Sequence, residues 1–117
     1  MSPQTLSTMI LTLFLMLTSC ASQGAVEYLG FEGCPNTPEL RQRLVLAQPE
    51  IQFIDVNLMT LEAGDARLGW GAPTILVDGE DLFGEPASDN GSVSCRSWGD
   101  GLPSVEEIRE QFRNQAH

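Results

Sequence analysis

VEYLGFEGCPNTPELRQRLVLAQP, residues 26–49, holds a change of period. Val26 to Phe31 mixes β-branched, aromatic and aliphatic residues next to glycine, and it predicts a strand. From Pro38 to Gln48, Leu40, Leu44 and Ala47 recur at i, i+4 and i+7 while Arg41 and Arg43 fall off that stripe, which predicts a helix. Thr37 or Asn36 is expected to cap its start, and Pro49 stops it. Cys34 and Pro35 stand between the two elements, so a thiol is expected where a strand gives way to a helix. A thiolate there faces unsatisfied amides and the positive end of the helix dipole, which favours the charged form and lowers the thiol pKa. No lysine or histidine is near in sequence, and Glu32 opposes the shift, so the expected depression is moderate.

Working outward, IQFIDVNL, residues 51–58, predicts a second strand, with a short, weakly helical piece over 59–69. GAPTILVDGEDLFG, residues 71–84, predicts a strand at Thr74–Val77, a tight turn at Asp78-Gly79 and a short return strand at Asp81–Phe83. LPSVEEIREQF, residues 102–112, predicts a last helix. Ser104 and Glu107 form a capping box, and Val105, Ile108 and Phe112 make its apolar stripe. The order is β-α-β-(α)-β-β-α: an α/β domain in which the first βαβ crossover makes strands one and two parallel and the last two strands are an antiparallel hairpin. No internal repeat and no second-domain boundary are visible.

With that order, the chain resembles the thioredoxin-like superfamily in its small, glutaredoxin-like form, over about Val26 to Asn114. Cys34-Pro35 at the helix mouth and Gly71-Ala72-Pro73-Thr74 before the hairpin carry the resemblance. It implies a central mixed four-stranded sheet, a cis peptide at Pro73 with Ala72 flanking Cys34, and thiol–disulfide chemistry at Cys34. The departure is Thr37, which stands where a C-x-x-C motif has its second cysteine. Three readings follow: Cys34 works alone, it pairs with Cys95, or the site is a relic and the fold serves as a binding module.

Cys95 lies in GEPASDNGSVSCRSWGDGLP, residues 84–103, a stretch rich in Gly, Ser, Asp and Pro. A loop of that length is usually functional, disordered or tied down. It could fold back over the Cys34 end, where a Cys34–Cys95 bond would pin it, as a permanent staple or as a catalytic couple. In the couple, Cys34 is the expected attacking thiolate and Cys95 the resolving thiol, with Arg96 favouring its thiolate. Trp70 is expected to cover the sheet edge or to wall the thiol pocket, and Trp98 to anchor the loop. His117, at the chain end, offers no Cys-His nucleophile arrangement. Two cysteines and that histidine do not make a four-ligand zinc site, though a two-thiolate site for copper(I) or mercury(II) is an alternative. No cofactor is implied.

Residues 6–19, LSTMILTLFLMLTS, are uncharged. The apolar centre from Met9 to Leu17 is shorter than the ~20 residues a spanning helix needs and suits a signal-peptide core. Leu17-Thr18-Ser19-Cys20 resembles a bacterial lipobox, which implies cleavage before Cys20 and a lipid on its sulfur. MSPQT lacks the usual basic residues, which keeps cleavage after Ala21 and an uncleaved anchor open. The expected organisation is thus a signal peptide over 1–20, a linker over 21–25 and one domain over 26–117, exported to a bacterial cell envelope and membrane-anchored through lipid. Disulfides persist there. Sixteen acids, six arginines and no lysine give a net charge of −10, which repels phosphate backbones and excludes nucleic acid as an expected partner. The expected partner is a thiol- or disulfide-bearing protein or a small thiol.

Overall fold

The computed structural model describes residues 25–115. The lipobox at Cys20, the rest of the leader and His117 lie outside the described residues.

Strand β1, Val26–Gly30, leads to helix α1, Asn36–Ala47, and then to β2, Ile54–Asn57. Two 3-10 turns follow, Leu58–Thr60 and Ala66–Gly69, before β3, Thr74–Val77, β4, Glu80–Asp81, and helix α2, Val105–Gln115. The sheet order is β2-β1-β3-β4, with β1 parallel to β2 and antiparallel to β3, and β3 antiparallel to β4. The protein is therefore a small α/β fold on a mixed four-stranded sheet.

Side chains of a strand alternate between faces. Val26 and Tyr28 of β1 and Ile75 of β3 face one way, where they meet Leu40, Leu44 and Ala47 of α1 and Ile108 of α2. Leu29 and Leu76 face the other way and pack with Leu58, Leu68, Ala72 and Cys34. The helices thus cover one face. The 3-10 turns and the long loop cover the other, and Cys34 belongs to that second cluster.

Several boundaries differ from expectation for local reasons. Neither Thr37 nor Asn36 caps α1: Pro35 holds the N-cap position and makes no side-chain cap bond. Thr37 sits inside the first turn, its hydroxyl donating to the Phe31 carbonyl at 3.2 Å. The second strand begins at Ile54, while Ile51 and Phe53 pack on the helical side from a non-strand lead-in. Residues 59–69 form no α-helix. Asn57 accepts from the Met59 amide and Asp65 from the Arg67 amide, and these bonds favour short turns. The Asp78-Gly79 turn carries φ of 54° and 82°, and β4 is only Glu80–Asp81. The capping box forms: the Ser104 amide donates to Glu107 at 2.8 Å, and the Glu107 amide to Ser104 Oγ at 3.0 Å.

Candidate functional site

Cys34 leaves β1 through a tight turn in which its amide donates to the Phe31 carbonyl at 3.2 Å. Its carbonyl accepts from the Thr37 amide at 3.0 Å, so its Cα lies just ahead of the first turn of α1. Pro35 and Pro38 have no amide proton, and the Thr37 hydroxyl is turned to Phe31. The helix mouth therefore offers a sulfur fewer donors than an ordinary first turn would.

Cys34 is disulfide-bonded to Cys95, with Cα atoms 5.7 Å apart, a separation ordinary for such a bond. The two half-cystines differ in surroundings. Cys34 is 2% exposed, packed in the cluster of Leu29, Leu58, Leu68, Ala72 and Leu76. Cys95 is exposed. It lines a recess of about 320 Å³ with Trp70, Glu85, Pro86 and Ser97.

The Ala72-Pro73 peptide is cis. Ala72 forms a parallel bridge with Cys95: its amide donates to Ser94 at 2.9 Å and its carbonyl accepts from the Arg96 amide at 2.8 Å. The loop that carries Cys95 is thus laid against the segment before β3 as one more short length of extended chain. Gly71, at φ 75°, makes this approach possible, because a Cβ there would stand 3.0 Å from the Arg96 amide nitrogen and 3.1 Å from the Ser94 carbonyl oxygen.

The loop is tied along its length. Trp70 Nε1 donates to the Glu85 carbonyl, the Ser88 amide and hydroxyl to Gly69, and the Gly64 amide to Gly91. Trp98 Nε1 donates to the Pro73 carbonyl, and its ring meets Phe83 edge-on. Arg43 of α1 holds the carbonyls of Leu102 and Pro103. Trp98 is the anchor expected of it, and Trp70 is half-buried in the wall of the recess.

Asp81 and Arg96 were not legible as a pair. The Asp81 side chain is fully buried, and its carboxylate accepts from Arg96 at 2.7 Å and from the amides of Phe83 and Glu85. The guanidinium also donates to Thr74 and stacks 3.8 Å from the Trp98 ring centroid. The signal was there in the alternation: Asp81 pairs with Leu76, an inward position, so an acid there needs an internal partner. Arg96 is engaged with Asp81 and Thr74, away from the role of thiolate partner expected for it.

A larger groove, about 480 Å³, runs between the start of α1 and the ends of β1 and β2. Its principal polar groups already bond one another: Arg41 with Asp55, and the Tyr28 hydroxyl with the Thr37 carbonyl. Burial pushes the Tyr28 phenol well above its ordinary range, so it stays a neutral donor. The smaller recess is lined by Cys95. Among the described residues no group of three or more His, Cys, Asp or Glu is placed to hold a metal, and no helix is long and apolar enough to cross a membrane.

No family model matches the chain, and neither a curated protein nor a solved structure does.

Proposed function

We propose that this chain is a thioredoxin-like thiol–disulfide exchange protein whose redox pair is Cys34 and Cys95. The observation that carries the reading is their bond, made at the mouth of α1 and beside Ala72 and Pro73. In this reading the missing second cysteine of the helix motif is supplied from a distant loop. The chemistry is exchange with a cysteine-bearing protein or a small thiol, in an oxidising compartment outside the cytoplasm, where such a bond persists. A lipid on Cys20, motivated by the Leu17-Thr18-Ser19-Cys20 stretch, would hold the domain at a membrane.

A second reading, a permanent staple in a non-catalytic binding module, is favoured by the burial of Cys34 and by the many tethers that hold the loop independently of sulfur. Equilibration in glutathione redox buffers separates the two. The exchange reading expects a reversible two-electron couple between about −270 and −120 mV, the span of known exchange proteins. A potential below about −300 mV, with no measurable exchange, is the behaviour of a structural bond and would overturn it.

A further inference from the structure

We infer that the oxidised protein is opened at Cys95, from the recess bounded by Trp70, Glu85, Pro86 and Ser97, and that Cys34 is the leaving group. This rests on the exchange reading and adds the order of the two sulfurs. That order is the reverse of the one expected from Cys34 standing at a helix mouth.

Displacement at a disulfide is in-line: the incoming thiolate approaches one sulfur along the extension of the S–S bond and expels the other. Which sulfur is struck depends on access and on how well the other leaves. To strike Cys34 a thiolate must reach a residue 2% exposed and packed among Leu29, Leu58, Leu68 and Leu76. Cys95 is exposed and borders open space large enough for a cysteine side chain.

Access decides the order, and the leaving side permits it. Cys34 departs ahead of α1, where the Asn36 amide makes no backbone bond, while its apolar packing opposes a lasting negative charge there. Cys95 departs from a loop with no helix behind it, and the adjacent guanidinium is bound to Asp81.

The step balances as follows. An external thiolate forms a bond to Cys95 Sγ, the Cys34–Cys95 bond breaks, and its electron pair remains on Cys34 Sγ. A second external thiolate then attacks the external sulfur of the mixed disulfide. That releases the external disulfide and leaves both protein thiols reduced. In reverse, Cys95 attacks an incoming disulfide and Cys34 resolves it.

The test uses the oxidised chain and glutathione. Samples are acid-quenched at short times, free thiols are capped with N-ethylmaleimide, and the adducts are located by peptide mass spectrometry. The expected product carries glutathione on Cys95 and maleimide on Cys34. In parallel, Ser97→Trp places a bulky ring in the recess without touching the Cys34 cluster. The second-order rate of reduction by glutathione should fall at least tenfold. Should the mixed disulfide not accumulate, this rate decides. Glutathione on Cys34, or an unchanged rate in Ser97→Trp, overturns the order while leaving exchange intact. A bond that glutathione never opens overturns both.

Discussion

Arg96 follows the exposed half-cystine and donates at 2.7 Å to Asp81, whose side chain is fully buried. One residue of the loop is thus an exposed half-cystine while the next fixes the loop to the core. Replacing Arg96 with Met would strand a buried carboxylate. Removing one partner of such a pair costs about 3–5 kcal/mol. Here the Phe83 and Glu85 amides still solvate Asp81, so a loss of about 3 kcal/mol is expected. Urea unfolding of the oxidised protein measures it. Arg96→Lys, which keeps the charge but not the fork of donors, should fall between.

The disulfide joins residues separated by 61 positions. In the chain-entropy description, closing a loop of that size stabilises by about 4 kcal/mol. Cys95→Ser should therefore lower the urea midpoint markedly, and dithiothreitol should lower that of the unaltered protein by a similar amount. A variant as stable as the oxidised parent would show that the loop tethers alone hold the structure.

Gly71 sits at φ 75° with the loop backbone against it. Gly71→Ala meets both the positive-φ penalty of about 1–2 kcal/mol and a crowded Arg96 amide. The Ala72–Cys95 bridge should loosen, seen as lower stability and as faster hydrogen exchange at the Ala72 and Arg96 amides. Gly64, at φ 88° with open space around it, should pay only the backbone penalty and leave those two amides protected.

Arg41 holds the Asp55 carboxyl below its ordinary range through a hydrogen bond between two exposed groups. A depressed folded-state value means stability that is present above the unfolded carboxylate pKa, near ~3.9, and lost as pH falls through the folded value. The stability difference between the parent and Arg41→Met should therefore shrink as pH is lowered from 6 to 2. Solvent screening keeps it small throughout. Asp65, lowered by Arg67, follows the same sign. Urea midpoints across that pH range check both.

A surface of net charge −10, with Glu85 in the recess and the Arg96 there paired to Asp81, should sort incoming thiols by charge. At equal thiolate concentration, cysteamine should reduce the bond faster than 2-mercaptoethanesulfonate. The ratio should contract towards one as salt rises from 10 mM to 1 M. A ratio insensitive to salt would remove long-range steering from the account.

Much of the fold was legible because its signals are local. Leu40, Leu44 and Ala47 marked the buried face of α1, Asp78-Gly79 the hairpin, and Ser104 with Glu107 the start of α2. The errors were also local competitions. Pro35 took the cap position from Thr37 and Asn36, and Asn57 and Asp65 turned an expected helix into two 3-10 turns. Of the site, Cys34 at the helix mouth and the anchoring role of Trp98 could be read directly. The Asp81–Arg96 pair, the Ala72–Cys95 bridge and the recess could not, since each joins residues far apart in the chain.

The sequence by itself determined the element order, the place of a sulfur between strand and helix, and a loop too long to be left unattached. Periodicity and turn chemistry act over a few residues, and they suffice for that. Only the tertiary structure decided that the loop lies along Ala72, that Cys95 meets Cys34, and that one half-cystine is buried while the other is exposed. Exposure depends on what else packs against a residue, and here the packing comes from segments on both sides of the sheet's second face.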